Sequence, residues 1–428
     1  MTRIAKRIVT AEPANTAYIA AAMTVSMFVF AYSTRFGQVS ILALYAVWFL
    51  PLAVEPRLAL KYFGGTLAVF ALAGLAIAST LWSDHPSGTL RTGIQYATTI
   101  VCAVVAARIS GRTGFVLGGL IGSILVGLYS LAIGGYHYDV IDATYAFTGA
   151  FSSKNQLGFF SSLAILFGIA ALFERSVAMR LLGCIVMALG GFLLVSSDSA
   201  TSLITVAGAA LVMGAILAAS RTKPTVRLVL IGLAGLFLGV LVVVAIQFGV
   251  FSGVLGAFGK DPTLTGRTYL WSKGIEAAGG SPLFGMGYQA FWRIGYPPAE
   301  DLWREFYITA RTGFHFHNTY IEMAVGLGLV GLGLMVAMLV TLLVQSAGTI
   351  LRARVTVFNA LTITFALLLL MRSFVEIDFL MPYTVGTFLL YFAMVRLMEE
   401  RARAHRTTRR TRRAPARSAR HLGPQFAA

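Results

Sequence analysis

Long apolar runs recur along nearly the whole chain and restrict it to one class of fold. A helix of about 17–25 apolar residues is long enough to cross the roughly 30 Å hydrocarbon core of a bilayer. Charged residues make up 12% of the chain, about half of the roughly 25% found in soluble domains. The sequence therefore predicts an all-α, polytopic membrane protein with about twelve transmembrane helices.

The distribution of Lys and Arg predicts how these helices are oriented. Cytoplasmic connections of membrane proteins are enriched in both residues. With the amino terminus inside, every cytoplasmic connection carries at least two of them, and about 24 of the 34 in the chain fall on that side. Both termini are then cytoplasmic. The predicted helices cover residues 17–33, 38–54, 63–81, 93–107, 115–133, 155–173, 180–196, 200–219, 227–251, 319–347, 355–375 and 379–397.

This topology divides the chain into five parts. Residues 1–16 form a basic cytoplasmic leader, 17–251 hold the first nine helices, 252–318 form a large outer loop, and 319–397 hold the last three helices. Residues 398–428 form an Arg-rich cytoplasmic tail, which we expect to be disordered and to bind membrane lipids. The topology thus explains the net charge of +17, and no nucleic-acid partner is expected.

The loop at 252–318 is far longer than an ordinary connection, and long loops tend to carry function. Its sequence predicts ordered structure. Thr265 can cap a helix near 266–279 whose apolar residues recur at spacings of three and four. Gly279 ends that helix, and Pro282 prevents its continuation. We therefore expect one large, partly helical periplasmic loop.

Two stretches in and after this loop resemble a known family. They are TGRTYLWSKGIEAAGGSPLFGMGYQAFW (265–292) and HFHNTYIEMAVGLGLVGLGL (315–334). With shorter outer-face segments at 82–91, 152–158 and 196–204, their order and spacing resemble the O-antigen ligase and Wzy-type polymerase superfamily. Within that superfamily the chain is most similar to the exopolysaccharide polymerases.

The resemblance implies a donor, an acceptor and a reaction. The implied donor is an undecaprenyl diphosphate-linked glycan, and the implied acceptor is a hydroxyl of another glycan or of lipid A core. A chain-length regulator and a flippase would be further partners in the bacterial inner membrane. The reaction of the family's ligases is held to be metal-independent, and the sequence has no metal-ligand motif. No metal and no cofactor are therefore expected.

Cations are needed at such a site, because negative charge develops on the diphosphate leaving group. Arg267 is the first, catalytic candidate, since it lies on the first turn of the loop helix, where free N–H groups also favour anions. Further candidate substrate contacts are Arg91, Lys154, Arg311 and Arg372. The alternative for Arg267 is a solvated helix residue, and for Arg91 and Lys154 an interfacial anchor. Arg372 and Glu376 are spaced to form a structural i,i+4 ion pair instead.

A base is needed to activate the acceptor hydroxyl. His317 is the catalytic candidate, because a neutral imidazole can accept a proton near physiological pH. His315 lies two residues away and is the alternative. Glu322 follows one turn deeper, where a carboxylate is costly unless it is paired. As a substrate-site residue it would orient the histidine or bind an arginine, and otherwise it holds two helices together.

Two other functions compete with that of a polymerase. A ligase that attaches finished glycan to lipid A core would use the same chemistry, and only the acceptor groove would distinguish it. A small-anion or solute transporter would show an internal repeat and ionisable residues near mid-membrane. The sequence shows no clear repeat, and its charged residues gather at the outer rim. A membrane glycosyltransferase acting at the periplasmic face is therefore the favoured interpretation.

Overall fold

The computed structural model describes residues 3–61, 63–139, 144–229, 266–352 and 355–413, and most of these are helical. The helices are α1 (Arg3–Thr10), α2 (Thr16–Val54), α3 (Arg57–Leu60), α4 (Phe63–Val69), α5 (Ala71–Ala78), α6 (Pro86–Ile109), α7 (Arg112–Ile133), α8 (Lys154–Ala171), α9 (Val177–Ser196), α10 (Ala200–Ala219), α11 (Arg267–Gly279), α12 (Pro297–Glu305), α13 (Thr319–Arg352), α14 (Val357–Arg372) and α15 (Val385–Arg413). Two short strands, β1 (Gly135–Asp139) and β2 (Thr144–Gly149), lie between α7 and α8.

Among the described helices, six are long and apolar enough to cross a membrane: α2, α6, α7, α9, α10 and α13. The apolar helix α14 and the apolar stretch 71–81 are shorter. The predicted run at 63–81 is divided between α4, α5 and a short 3-10 turn at Ser79–Leu81. The predicted helix at 227–251 lies almost entirely outside the described residues. The architecture is that of a multi-pass membrane protein, and about twelve spans stays a prediction.

The longest helix, α2, folds back on itself. Gly37 has a φ of +61°, which glycine adopts without a steric penalty. Beyond it, the carbonyl of Val47 accepts a hydrogen bond from the hydroxyl of Tyr18. Residues that far apart in a straight helix would be separated by roughly 40 Å. The two halves are therefore antiparallel, and they cover the residues predicted as separate helices at 17–33 and 38–54.

Helix α13 is interrupted, whereas the sequence predicts a continuous helix at 319–347. Gly328 leaves helical geometry with a φ of +62°. The stretch 282–287 lies against the break, and the N–H of Met286 donates to the carbonyl of Val325 at 3.0 Å. An interruption inside an apolar helix is tolerated because neighbouring protein backbone satisfies the peptide groups that the break frees.

Helix α15 extends beyond the predicted end of the last membrane helix. It continues to Arg413, so residues 398–413 are helical rather than disordered. Glu399 and Arg403 form an i,i+4 pair at 3.4 Å, and such pairs support a helix made of strong helix formers. Residues 414–428 lie outside the described part of the chain.

Polar contacts gather at the two ends of the helical bundle. At the basic end, the buried carboxylate of Glu399 lies 3.0 Å from Nε of Arg108 and 3.0 Å from Nζ of Lys61. The opposite end, which we call the site end, carries the segment 266–318 and the described residues 79–86, 134–139, 144–153 and 373–384 between helices. Burying an unpaired charge is costly, so these paired groups fix how the helices are arranged at each end.

An antiparallel hairpin at the site end departs from the predicted all-α fold. In its register, Tyr136 lies opposite Phe147 and Tyr138 opposite Tyr145. Aromatic residues favour strands, because their side chains pack well across a pleated surface. Phe147 is buried against Leu157 of α8. The chain is therefore mostly helical, with one short hairpin attached to the bundle.

Candidate functional site

Glu376 is the centre of the polar cluster at the site end. Its Oε1 atom accepts hydrogen bonds from Nη2 of Arg267 at 2.9 Å and from Nδ2 of Asn155 at 2.7 Å. Its Oε2 atom lies 3.4 Å from Nδ1 of His317. Burial alone would raise the pKa of this carboxyl, but Arg267 and His317 outweigh burial and hold the pKa well below its usual range. One buried carboxylate thus joins both predicted catalytic residues.

The end of helix α14 explains why Glu376 occupies this position. The helix stops at Arg372, and residues 373–384 form the connection to α15. The expected i,i+4 pair between Arg372 and Glu376 is therefore wrong, because the chain between them is not a continuous helix. Arg372 instead donates from Nε to Oδ2 of Asp378 at 2.6 Å. This leaves the buried Glu376 carboxylate to bind Arg267.

Arg267 is the first residue of α11 and is only partly exposed. Its Nη1 atom donates to the carbonyl of Val375 at 2.8 Å, next to the bond between Nη2 and Glu376. The cap position is taken by Gly266 with a φ of +76°, and the predicted cap Thr265 lies outside the described residues. The remaining guanidinium N–H groups are still able to bind an anion.

His317 and His315 lie side by side, with ring centroids 4.2 Å apart. The backbone N–H of His317 donates to Nδ1 of His315 at 3.1 Å, and His317 has a φ of +51°. Residues other than glycine rarely adopt this left-handed backbone conformation. Such backbone strain is often found at functional sites. Since Nδ1 of His315 accepts a hydrogen bond, its neutral ring carries the proton on Nε2.

Metal binding is the alternative use of this cluster. Ligand atoms of His315, His317 and Glu376 all lie within 4.8 Å of one another, and they form the metal-type group among the described residues. Two features of these residues argue against metal binding. The charge of Glu376 is already balanced by its ion pair with Arg267. Nδ1 of His315 accepts a hydrogen bond, so the proton is on Nε2, which is the nitrogen left to bind a metal. The residues present fit an arginine–carboxylate–histidine site better than a metal site.

A second row of polar residues supports Asn155, which opens α8 beside Lys154. The Oδ1 atom of Asn155 accepts a hydrogen bond from Oγ of Ser199 at 2.8 Å. The hydroxyl oxygens of Ser199 and Ser202 lie 3.0 Å apart, and Ser202 accepts from Nη1 of Arg372 at 3.0 Å. These bonds connect α8, α10 and α14 beneath the site. Such a connected network fixes the rotamer of Asn155 and therefore the position of the Glu376 carboxylate.

The structure places Arg372 in this supporting network rather than on a surface that a substrate could reach. Only 1% of its side chain is exposed. Its guanidinium lies 4.5 Å from the ring centroid of Phe159 and donates to both carboxylate oxygens of Asp378. Arg372 therefore has a structural role with Asp378 in place of Glu376, and the predicted substrate contact has no accessible group.

Glu322 has a positioning role in the structure. Its carboxylate accepts hydrogen bonds from Nε1 of Trp292 at 3.1 Å and from the backbone N–H of Phe316 at 3.2 Å. Neither partner is an arginine or a histidine side chain. Because Phe316 lies between the two histidines, Glu322 holds the stretch of chain that carries them. Of the expected alternatives, orientation of the histidine is the one that the contacts favour.

The other predicted cations are distributed around the site end. Lys154 is buried at the start of α8, next to Asn155. Arg91 is exposed on α6, and no described ion pair involves it. Arg311 is half-exposed and pairs with Glu300 at 3.4 Å. The structure therefore brings Lys154 close to the cluster and does not bring Arg91 or Arg311 into it.

Two residues of the cluster are missed by sequence patterns. Glu376 is expected only as a partner of Arg372, and Asn155 stands in the 152–158 segment without a role of its own. Arg267 is separated from Glu376 by 109 positions, and Asn155 by 221. No local periodicity reports on contacts of that separation. The one available signal is the acidic residue at an apolar helix end, since such a group needs a partner.

Two comparisons with known proteins identify the family of this chain. The model of the O-antigen ligase family matches residues 185–336. The exopolysaccharide production protein ExoQ of Rhizobium meliloti (strain 1021) is 46% identical over 404 residues, which cover 94% of this chain and 93% of that protein. The chain therefore belongs to the O-antigen ligase and Wzy-type polymerase family, and it is a multi-pass inner-membrane protein.

The partly buried His315 leads to a prediction for the dependence of stability on pH. Burial, with a contribution from His317, lowers the pKa of His315 to about 3. On acidification the unfolded chain takes up a proton near its ordinary pKa and the folded chain does not. Folding stability should therefore fall as the pH drops from 7 towards 4. Replacing His315 by Gln should flatten this fall in the melting temperature of the purified protein.

The control for this measurement is His137→Gln. His137 is exposed on the hairpin and makes no contact with the catalytic cluster among the described residues. This variant should keep the slope of the wild-type profile. An unchanged slope in His315→Gln would show that His315 does not remain neutral in the folded protein.

Proposed function

We propose that this protein polymerises undecaprenyl diphosphate-linked oligosaccharide repeat units into exopolysaccharide at the periplasmic face of the inner membrane. The observation that carries the proposal is the single buried carboxylate, Glu376, which holds Arg267 and His317 together. A cation and a candidate base side by side match the needs of glycosyl transfer from a diphosphate. The similarity to a protein of exopolysaccharide production favours the same activity.

In the proposed reaction His317 acts as the base. Glu376 orients the Nδ1 side of its ring, so that Nε2 accepts the proton of the acceptor hydroxyl. The acceptor oxygen then forms a bond to the anomeric carbon of the donor, while the bond from that carbon to the diphosphate oxygen breaks. The leaving diphosphate takes both electrons of the broken bond, and the proton stays on His317 until product release.

Arg267 stabilises the charge that develops on the diphosphate. This interaction is stronger in the transition state than with the bound donor, which is the condition for a catalytic effect. Lys154, close to Asn155, is proposed as a second phosphate contact. Arg91 and Arg311 would meet the donor only through their exposed positions at the same end of the bundle.

The proposed orientation places the site end outside and the basic end in the cytoplasm. It is supported by the cations at the basic end, which include Lys61, Arg108 and Arg112. Both termini would then be cytoplasmic, and the segment 252–318 would be the periplasmic loop. A flippase that supplies the donor and a chain-length regulator are proposed partners in this arrangement.

A second candidate is an O-antigen ligase, which the description of the matching family favours. In that case the acceptor would be lipid A core rather than another repeat unit. The chemistry at Arg267, Glu376 and His317 would be unchanged. The two candidates can be distinguished by the carrier-linked product that accumulates when the protein is inactive.

The proposal is tested in a deletion strain complemented with wild type, His317→Ala or the exposed control His85→Ala. Surface and secreted polysaccharide and the lipid-linked intermediates are measured, with the amount of each variant in the membrane. A polymerase predicts that the deletion and His317→Ala accumulate single lipid-linked repeat units. A ligase predicts long chains that stay on the lipid carrier. Unchanged glycans in the deletion would refute both and favour transport.

A further inference from the structure

Three tyrosines form an exposed aromatic surface on the β1–β2 hairpin. The exposed fraction is 62% for Tyr136, 52% for Tyr138 and 69% for Tyr145. Successive residues of a strand point to opposite faces, and paired residues of neighbouring strands share a face. The pairing of Tyr138 with Tyr145, and of Tyr136 with Phe147, therefore places all four rings on the same face. We call this face the tyrosine platform.

The platform is ordered by contacts between its rings. Tyr136 and Tyr145 stack with centroids 5.2 Å apart and an angle of 14° between their planes. Tyr136 also meets the edge of Phe147 at 5.3 Å. Phe147 is 8% exposed and packs against Leu157 in α8. The buried ring thus anchors the exposed ones, so the platform is a fixed surface.

The platform is joined directly to the candidate catalytic cluster. Strand β2 ends at Gly149, and only residues 150–154 separate it from Asn155, which binds Glu376. An extended chain over the ten residues from Tyr145 to Asn155 spans at most about 36 Å. The tyrosines therefore lie close enough to the cluster for one polysaccharide chain to contact both, on the same end of the bundle.

Charge decides which ligand suits this surface. Residues 134–153 contain two Asp and neither Lys nor Arg. Binding to anionic lipid headgroups relies on clusters of basic residues, which this segment lacks. Tyrosine offers a broad apolar ring together with a hydroxyl that can form hydrogen bonds. A pyranose ring has the matching chemistry, with C–H groups on its faces and hydroxyls at its rim.

We propose that the tyrosine platform binds sugar residues of the growing polysaccharide and holds the chain beside the catalytic cluster. This inference rests on the proposed polymerase function and adds a glycan-binding site to it. A chain retained between additions grows further before it is released. The platform should therefore control product length, while Arg267 and His317 control whether transfer happens at all.

The test uses the double variant Tyr136→Ala/Tyr145→Ala in the complemented deletion strain. Both side chains are largely exposed, so their loss should leave the amount of protein in the membrane unchanged. The proportion of long polysaccharide chains should fall at least about tenfold, since two aromatic contacts with the glycan are removed at once. Single lipid-linked repeat units should not accumulate. The variant Tyr136→Phe/Tyr145→Phe keeps the rings and should keep most of the chain length.

Two controls show whether the effect is specific to the platform and to glycan binding. Tyr307→Ala removes a tyrosine of similar exposure, 64%, from the 266–318 segment and should leave chain length unchanged. Purified full-length protein should bind oligosaccharides from partial hydrolysis of the host's own polysaccharide at least about tenfold more weakly in the double Ala variant, measured by saturation-transfer NMR.

Several results would overturn the proposal. If the double Ala variant kept wild-type chain length and wild-type oligosaccharide binding, the platform would not be a glycan-binding site. If the double Ala variant were less abundant in the membrane but still made polysaccharide of normal chain length, the tyrosines would be an interfacial anchor instead. A failure of the proposed polymerase function would be seen in a different strain. The deletion strain itself would then make normal polysaccharide.

Discussion

Replacing Arg267 by Ala is expected to reduce the rate of polysaccharide formation by about 10²–10³-fold, the usual loss when one group that stabilises transition-state charge is removed. The donor should still bind through other contacts, so single lipid-linked repeat units should accumulate. Arg267→Lys keeps the charge but loses the planar fork that binds Glu376 and a phosphate together. It should recover only part of the activity. Pulse labelling of the polysaccharide measures the rate.

The matched control for Arg267 is Arg304→Ala. Arg304 lies in the same 266–318 segment on α12, its side chain is 77% exposed, and it pairs with the neighbouring Asp301. This variant should form polysaccharide at the wild-type rate. Equal activity of the Arg267→Ala and Arg304→Ala variants would mean that Arg267 does not act on the diphosphate and only binds Glu376 and Val375. Membrane abundance of both proteins shows whether folding is affected.

The parts of this molecule that sequence patterns predict well are those governed by local spacing. The apolar runs that form α7 and α10 lie within a few residues of the predicted bounds. The helix that begins at Arg267 is also expected near 266–279. Both depend on periodicity and on residues that start or stop helices. The resemblance to the family placed Arg267 and His317 at the same membrane face, and the structure brings them together at the site end.

The parts that sequence patterns miss depend on contacts between distant segments. The break in α13 arises because residues 282–287 form hydrogen bonds with its backbone. The apolar residues of the helix alone do not predict that contact. The role of Glu376 follows from the end of α14 at Arg372, four residues earlier, and helix ends are the least certain part of any sequence prediction. The hairpin is missed because its strands are short and lie between two apolar helices.

The arrangement also shows why Arg267 and His317 do not suffice as a description of the site. Both project from the 266–318 segment, which lies over the bundle, whereas Glu376 belongs to a connection of the bundle and Asn155 to its helix α8. The Glu376 carboxylate thus links the 266–318 segment to the helical bundle. A substitution there changes the distance between the cation and the base, and positioning errors of about 1 Å can cost roughly 10²-fold in rate.

Replacing Glu376 by Gln is therefore expected to reduce polysaccharide formation by at least about 10²-fold while the protein stays folded. Gln has nearly the same shape and can still accept hydrogen bonds from Arg267 and Asn155. It has no negative charge to balance Arg267, and its amide can present a donor to Nδ1 of His317 in place of an acceptor. The ring of His317 is then no longer fixed with its Nε2 atom as the base. Labelled polysaccharide and lipid-linked repeat units are the measurements.

Two further variants separate this effect from a loss of stability. Glu300→Gln makes the same change at a carboxylate of the 266–318 segment that pairs with Arg311, and it should leave the rate unchanged. Asp378→Asn leaves Arg372, whose side chain is 1% exposed, without its buried partner. Breaking such a pair typically costs about 3–5 kcal/mol, so this variant should lose protein from the membrane. If Glu376→Gln behaved like Asp378→Asn, with activity per molecule preserved, Glu376 would be a structural residue. A normal amount of inactive Glu376→Gln protein is expected instead, because the bundle beneath Glu376 keeps its own network through Ser199 and Ser202.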